Sequence, residues 1–249
     1  MKGKGNMDKE KIVVCASNNS HKIVEIEEIT KKFGLTLVSR DDAGVPPFEI
    51  EEDGDTFEAN SYKKAAEILA VCGKPTLADD SGLMVDYLDG APGVYSARFA
   101  GEHGGDKANN EKLLRLMDGV PAEKRTAKFV SVITMIFPAE DDANGACGEC
   151  AEENAKASGA CNCSKVAENK EGSEPKVVAR PGRVLVARGE CPGRVLTEEH
   201  GDGGFGYDPL FLPDGYDKTF GELPQETKNK ISHRANALKE LERMLKELK

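Results

Sequence analysis

The longest apolar run in the chain, Val130–Phe137, is short, and its length restricts the folds that this sequence can adopt. A helix that crosses a membrane needs about 18 or more consecutive apolar residues, so the run fits a buried β-strand instead. Shorter apolar runs of the same kind occur at three other places: Lys11–Ser17, Leu35–Val38 and Pro75–Ala78. We therefore expect a sheet with several buried strands, and no membrane partner.

Helical periodicity separates these predicted strands. The first helix carries apolar residues three or four positions apart, namely Ile23, Ile26, Ile29 and Phe33. Asp55 and Glu58 predict a capping box for a second helix that runs to Leu69. Two more helices are predicted around 109–117 and from about Ser232 to the end. Strands and helices alternate early and strands dominate the middle, which indicates an α/β fold with a mixed sheet and flanking helices.

The charge of the chain argues against a nucleic acid polymer as a partner. Its 249 residues carry a net charge of −10 at pH 7, whereas a protein that binds duplexes usually has a basic surface. Residues 1–10 are polar and lack the apolar stretch of a signal peptide, so we expect a flexible leader and a cytoplasmic protein. The seven cysteines are an odd number, which favours reduced thiols over a disulfide framework.

Residues 139–176 differ in character from the rest of the chain. They contain nine acids, four lysines and four cysteines, and Val166 is their only aliphatic residue larger than alanine. Such a segment cannot bury enough apolar area to offset its ordering entropy. We therefore expect a flexible acidic insertion within a single domain of residues 11–249. Its cysteines form either a tetrahedral zinc site or a set of solvated thiols: Cys147, Cys150, Cys161 and Cys163.

Two adjacent carboxylates, Asp79 and Asp80, follow the predicted strand Pro75–Ala78, and Ser81 and Gly82 come directly after them. A strand end holds side chains rigidly, and a glycine lets the backbone turn or a ligand come close. Paired carboxylates in such a place suit a Mg²⁺ ion with its phosphates, or the removal of a proton from water. A solvated Asp-Asp-Ser-Gly turn is the alternative interpretation.

Two further segments have the composition of ion-binding loops. Ser17–Lys22 lies between the first strand and the first helix, where backbone N–H groups and the helix dipole favour an anion. Glu51–Gly54 precedes the second helix, and its carboxylates can complete a Mg²⁺ site with the Asp pair. The alternatives are a capped helix start with a surface lysine, and a solvated acidic loop.

The segment Gly203–Pro209, which we call the aromatic loop, carries Phe205 and Tyr207 among glycines. A flat ring beside open backbone suits stacking on a nucleobase, and Asp208 offers a carboxylate to the edge of that base. A hairpin with its aromatic rings packed inward is the alternative. Three residues lie at or just before the start of the last helix: Lys228, His233 and Arg234. They either donate to a carbonyl or phosphate of a ligand, or they form a solvated surface cap.

Six segments occur in the order of the Ham1/inosine triphosphatase family, which the chain resembles over nearly all of 11–248. They are Ala16–Lys22, Glu51–Asn60, Ala78–Leu83, Gly90–Arg98, Gly203–Pro209 and Ile231–Arg234. Each motif alone is weak, but six in one order are specific. The resemblance implies an elongated mixed sheet with two lobes around a central substrate cleft, and assembly as a homodimer.

The resemblance also assigns roles to residues. Asp80 is the implied catalytic and metal-binding carboxylate, and Glu51 is the second metal ligand, with Glu52 as the alternative register. The residues implied in substrate binding are Ser17, Asn18, Asn19, Ser20, His21 and Lys22 in the phosphate loop, Ser81 after the Asp pair, Phe205, Gly206, Tyr207 and Asp208 in the aromatic loop, and Lys228, His233 and Arg234.

The implied activity is hydrolysis of deaminated purine nucleoside triphosphates (ITP, dITP and XTP) to the monophosphate and pyrophosphate, with Mg²⁺. In this interpretation Ser17–Lys22 and Lys228 hold the phosphate tail, and Phe205 stacks on the purine. His233 and Arg234 donate to its 6-oxo group. Two alternatives stay open: a pyrophosphatase for other modified nucleotides, and a nucleotide or metal sensor without enzymatic activity.

Overall fold

The fold is built on one mixed sheet, and this computed structural model describes residues 11–17, 19–101, 104–139 and 179–248. The strands are β1 (Lys11–Cys15), β2 (Leu35–Val38), β3 (Thr76–Val85), β4 (Thr126–Pro138), β5 (Pro181–Val195) and β6 (Phe211–Pro213). Their order is β2-β1-β3-β4-β5-β6. β1 runs parallel to β2 and β3, and the strands from β3 to β6 pair antiparallel. The predicted mixed sheet is confirmed.

Helices flank both faces of the sheet. Those in the described ranges are α1 (Ser20–Thr30), α2 (Phe57–Cys72), α3 (Gly105–Leu116), α4 (Gln225–Ile231) and α5 (His233–Glu247). α2 packs on β3 and β4, whereas α5 packs on β4, β5 and α1. In the part of the chain that the structure describes, no helix has the length and apolar character needed to span a membrane.

Alternate residues of the central strands build two hydrophobic layers, because successive side chains of a strand point to opposite faces. Leu77 packs with Ile26 and Leu238 in the layer of α1 and α5. Its neighbour Ala78 packs with Ile68 in the layer of α2. A third apolar cluster connects α3 to the β4–β6 side of the sheet and includes Leu113, Phe129, Phe211 and Phe220.

The Asp pair lies inside a strand rather than after its end, which corrects the sequence expectation. β3 continues to Val85 and pairs with β4 along its whole length. β1, however, pairs with β3 only as far as Cys15 and Leu77. The end of the neighbouring strand therefore leaves Asp79 and Asp80 beside the loop that leads into α1.

Gly82 serves close packing and not the predicted turn. A side chain there would overlap the Ser96 hydroxyl and the Gly93 carbonyl of the short 3-10 helix Gly93–Arg98. Ser96 Oγ in turn accepts a 2.9 Å hydrogen bond from the backbone N–H of Leu83. The missing Cβ thus lets this 3-10 helix pack directly against β3.

The predicted insertion leaves the sheet between β4 and β5. The two strands stay paired to their ends, where Pro138 lies opposite Pro181 and Ala139 N donates a 3.0 Å hydrogen bond to Arg180 O. β5 continues through Pro192 to Val195. The leader 1–10 and the insertion residues 140–178, with their four cysteines, lie outside the described residues.

Candidate active site

Asp79 and Asp80 point to opposite faces of β3 and have different surroundings. Asp79 is buried on the side of α1 and α5, where its carboxylate lies 3.0 Å from Lys22 Nζ and 3.3 Å from Arg234 Nη2. Ser131 Oγ donates to it at 2.6 Å. Burial opposes ionisation, but Arg234 and Lys22 hold the pKa of Asp79 well below its usual range. Asp79 is thus a permanent anion that fixes two cations at the cleft.

Asp80 faces α2 and has fewer cationic partners. Lys64 Nζ donates to its carboxylate at 2.8 Å, and Asn60 Nδ2 donates at 3.5 Å. Burial raises the pKa of Asp80 to about 6, against the opposing charge of Lys64 and with a further rise from Glu52. A carboxylate with this pKa can accept a proton near neutral pH, as a general base requires.

The structure brings Glu52, rather than Glu51, to the Asp80 side chain. Glu51 is exposed and does not line the cleft, whereas Glu52 lines it and lies 3.2 Å from Lys64 Nζ. Burial alone would raise the pKa of Glu52, but Lys64 and a hydrogen bond with Asp80 lower it. Arg98 Nη2 holds the backbone by donating to Glu52 O at 2.7 Å. The structure thus places the Glu52 side chain, and not that of Glu51, beside Lys64 and Asp80.

Glu52 and Asp80 fit a magnesium ion by their chemistry. Mg²⁺ in proteins often takes one or two carboxylates and fills its other positions with water and phosphate oxygens. The two carboxylates already share one cation, the ammonium group of Lys64. Over the ranges 11–17, 19–101, 104–139 and 179–248, no group of three or more His, Cys, Asp or Glu side chains has metal-binding geometry.

The predicted phosphate loop is only partly at the cleft. Ser17, Asn19 and Lys22 line it, and the Asn19 side chain caps α1 by accepting from Lys22 N at 3.2 Å. The exposed His21 ring instead stacks on Phe205 of the aromatic loop, with centroids 5.4 Å apart. Ser20 is exposed, and Asn18 lies outside the described residues.

Two adjoining cavities meet beside β3. The acidic cavity, of about 930 Å³, contains Glu52, Lys64 and both aspartates, and the aromatic cavity, of about 630 Å³, contains the aromatic loop. The cavities share four lining residues, Asn19, Lys22, Ser81 and Ala97. One extended ligand can therefore occupy both.

Asp208 braces the aromatic loop from inside and does not present its carboxylate as a free edge, contrary to expectation. It is buried, and its carboxylate accepts from Phe205 N at 2.9 Å and from Lys228 Nζ at 2.7 Å. A side chain at Gly204 would overlap this carboxylate. The loop is thus folded around Asp208, and the Phe205 ring is left at the cavity.

Lys228 lies in the aromatic cavity and not with the expected phosphate tail. Its ammonium group is 2.9 Å from Glu25 and 2.7 Å from Asp208, and 4.8 Å from the centre of the Phe205 ring. Burial opposes its charge, but these two carboxylates raise the pKa of Lys228. It is thus a buried cation next to the position of a stacked ligand.

His233 and Arg234 begin α5 and are buried, although the sequence suggested a surface helix start. Arg234 pairs with Glu25 and Asp79, and its Nη2 donates to Ser81 Oγ at 3.0 Å. His233 stacks on Phe129 at 4.8 Å, and burial holds its pKa well below the usual range, so the ring is neutral. Among the described residues, His233 Nδ1 and Arg234 Nε are buried without a hydrogen-bond partner.

Several site residues lie outside the segments that the sequence assigned to the site, and Glu25 and Lys64 are two of them. Each is a charge among the buried positions of its helix: Glu25 adjoins Ile26 and Ile29 on α1, and Lys64 adjoins Ile68 on α2. Long charged side chains are seldom buried without a partner. A charged residue among the buried positions of a periodic helix was therefore the available signal.

The sequence is similar to known proteins over nearly its whole length. The model of the Ham1 family matches residues 13–160 and 148–244. The dITP/XTP pyrophosphatase of Clostridium perfringens is 42% identical over 239 residues, which cover 94% of this chain and 96% of that protein. The dITP/XTP pyrophosphatase of Desulforamulus reducens is 44% identical over 237 residues, with 95% and 96% covered.

Solved structures agree with this similarity. The Staphylococcus aureus Ham1 protein superposes with a TM-score of 0.71 at 33% identity, covering 96% of this chain and all of that one. A HAM1 protein from Coxiella burnetii gives a TM-score of 0.69 at 31% identity, with 95% and 98% covered.

Proposed function

The chain belongs to the Ham1 family, and we propose that it hydrolyses deaminated purine nucleoside triphosphates to the monophosphate and pyrophosphate. The substrates are ITP, dITP and XTP. The names of its relatives support this substrate class. The observation that carries the proposal is the junction of the acidic and aromatic cavities at Lys22 and Ser81, which suits a ligand with a triphosphate at one end and a base at the other.

In the acidic cavity, Asp80 accepts the proton of the attacking water. Its raised pKa suits that role, and Lys64 keeps the carboxylate oriented through the 2.8 Å contact. Lys22, fixed by Asp79, and the loop backbone at Ser17 and Asn19 hold the phosphates.

Glu52 and Asp80 would hold a Mg²⁺ ion, and we propose that activity depends on it. When bound, the ion neutralises phosphate charge and helps to align the reacting groups. Lys64, which contacts both carboxylates, offsets part of their negative charge. We further propose, from the family resemblance, a cytoplasmic homodimer that does not bind nucleic acid polymers.

In the aromatic cavity, Phe205 stacks on the purine, and the unpartnered atoms of His233 and Arg234 point to polar recognition of its edge. Arg234 and Lys228 are charged donors that suit a 6-oxo group, which hypoxanthine and xanthine share. Adenine has an amino group at that position, which cannot accept a hydrogen bond from these donors and places its own donor against them. Such a mismatch gives strong discrimination.

The test is to supply ITP, dITP, XTP, ATP and GTP with Mg²⁺ and to quantify pyrophosphate and inorganic phosphate separately. We expect equimolar monophosphate and pyrophosphate from ITP, dITP and XTP, with ATP a poor substrate. The rate with GTP, which shares the 6-oxo group, measures discrimination at position 2 of the base. Orthophosphate as the initial product, or no turnover, would refute the proposal. A preference for dUTP or a methylated nucleotide would favour a pyrophosphatase of different specificity.

Excess EDTA provides the matching control for the metal. Activity should vanish with EDTA and return when Mg²⁺ is added above the chelator concentration. Full activity in EDTA would exclude the metal-dependent mechanism.

A further inference from the structure

One face of α3 forms hydrogen bonds with two walls of the aromatic cavity. Asp106, Asn109 and Asn110 are three and four positions apart, so they project from the same side of the helix. None of the three belongs to a segment that the sequence analysis assigned to the site. Asp106 and Asn110 contact the wall that contains Gly206, and Asn109 contacts the wall that contains Ala97. Both Gly206 and Ala97 line the cavity.

On the first wall, Gly206 is held at both of its backbone polar groups. Its N–H donates to Asp106 Oδ2 at 2.7 Å, and its carbonyl accepts from Asn110 Nδ2 at 3.2 Å. The same amide of Asn110 also donates to Glu199 Oε1 at 2.7 Å. The Gly206 amide is thus a hydrogen-bond donor to the Asp106 carboxylate.

On the second wall, Asn109 is bound to the chain that follows the 3-10 helix Gly93–Arg98. Its Oδ1 accepts from Ala100 N at 2.7 Å, and its Nδ2 donates to Ala97 O at 3.1 Å. α3 is therefore hydrogen-bonded to both Ala97 and the aromatic loop, and it keeps the distance between them fixed.

Hydrogen bonds, and not packing, keep Gly206 in place. Its φ of +62° is in the left-handed region, and a Cβ atom there would meet nothing within 4 Å. Phe205 and Tyr207 on either side both line the cavity, and Tyr207 is anchored there because its hydroxyl donates to Ser96 O at 2.9 Å. A shift at Gly206 would therefore move the Phe205 ring directly.

We propose that Asp106 and Asn110 are positioning residues that fix the aromatic loop and thereby set the affinity for the purine base. This inference rests on the proposed function, since it takes the aromatic cavity as the base site. Neither residue needs to touch the triphosphate, which belongs in the acidic cavity. Their loss should weaken binding of the base and leave binding of pyrophosphate unchanged.

The experiment compares Asp106→Ala with Asp106→Asn, which keeps an acceptor oxygen, and with Glu111→Ala, an exposed acid on the same helix. Binding of IMP and of pyrophosphate is measured by calorimetry with Mg²⁺, and hydrogen exchange is followed in the peptide that contains Gly206. Asp106→Ala should weaken IMP about tenfold or more, because it removes a hydrogen bond to a charged acceptor. In Asp106→Ala the affinity for pyrophosphate should stay unchanged, and hydrogen exchange at Gly206 should accelerate. Asp106→Asn should restore much of the IMP affinity and of the slow exchange. Glu111→Ala should resemble wild type.

A second pair of variants tests the loop itself. Gly206→Ala and Gly215→Ala both place a side chain at positive φ in open space, but Gly215 lines neither cavity. Only Gly206→Ala should weaken IMP. Equal effects of the two would overturn the proposal.

The outcomes separate this inference from the proposed function. If wild type converts ITP to IMP and pyrophosphate but Asp106→Ala binds IMP normally, only the positioning role is wrong. If wild type neither turns over ITP nor binds IMP, the proposed function and this inference both fail. Unchanged exchange at Gly206 in Asp106→Ala would refute the positioning role whatever the activity.

Discussion

At the scale of single residues, Asp79 and Asp80 are adjacent in one strand, but we assign them different roles because they face different cations. Asp79 contacts Lys22 and Arg234 and stays ionised, whereas Asp80 pairs with Lys64 and shares that cation with Glu52. Electrostatic surroundings, not residue type, separate the anchoring acid from the candidate base.

Asp80→Asn tests the candidate base. The change is nearly isosteric and removes both the proton acceptor and one negative charge of the proposed metal site. We expect kcat for ITP to fall by about three orders of magnitude or more while the circular dichroism spectrum is unchanged. Turnover within tenfold of wild type would mean that another group takes the proton.

The same variant should change how stability depends on pH. Because the folded pKa of Asp80 is raised to about 6, the folded state binds its proton more tightly than the unfolded chain does. Wild type therefore loses stability from this group as pH rises from about 4 to 6. Asp80→Asn should avoid that loss and match or exceed the wild-type Tm at pH 7, measured in EDTA, with the difference smaller at pH 4. If Asp80→Asn instead had a lower Tm than wild type at pH 7, and by more than at pH 4, the predicted sign would be wrong.

Arg234→Ala should destabilise the protein by about 3–5 kcal/mol, because it leaves Glu25 and Asp79 as buried carboxylates that have lost a cation. Arg243→Ala is the matched control, since Arg243 is exposed on the same helix and pairs only with surface glutamates. That change should cost less than about 1 kcal/mol. Urea denaturation measures both, and similar losses would show that the buried pairs do not support the fold.

At the scale of elements, close backbone contacts place the site. α5 begins on β5 at Gly189, where a Cβ atom would overlap the backbone of His233 and Ala237. The Ser232 side chain caps this helix by accepting from Ala235 N at 3.1 Å. The glycine and the cap together fix the first turn, which carries both His233 and Arg234.

Gly189→Ala should therefore impair both stability and catalysis. The added methyl group would meet backbone that cannot rotate away, so we expect a loss of about 1–3 kcal/mol and a fall in kcat/KM for ITP. Arg188→Ala, which changes an exposed neighbour on the opposite face of β5, is the control and should stay near wild type. Normal activity in Gly189→Ala would show that the start of α5 can move without harm.

At the scale of the whole molecule, the site is built around β3, to which neighbouring helices and loops add residues, and the insertion lies between β4 and β5 in the chain. Ala139 and Arg180 are hydrogen-bonded at the paired ends of β4 and β5. The chain between them can therefore be replaced by a short hairpin turn without changing the sheet.

Replacing residues 140–178 with an Asn-Gly turn should leave the Tm and ITP hydrolysis close to wild type. The metal content of the intact protein is the companion measurement. One stoichiometric zinc ion, together with a lower Tm after excision, would identify Cys147, Cys150, Cys161 and Cys163 as a structural site and refute the flexible-insertion hypothesis.

The sequence by itself determined the early alternation of strands and helices and the segments that carry many residues of the cleft. Apolar runs, helical spacing and cap residues are local properties, so β2 and the start of α5 were predicted at their observed positions. The motif order likewise identified Asp80, Lys22 and Phe205, because each lies in a contiguous segment.

Only the tertiary structure decided which charges meet and which are buried. Arg234 pairs with Glu25 across 209 positions of sequence, and Lys64 reaches Asp80 from another element. The choice of Glu52 over Glu51 likewise depends on which side chain the packed loop turns toward α2. From the sequence alone, a charged residue is expected to be solvated. Its desolvation and its ion-pair partner are decided only when distant segments pack together.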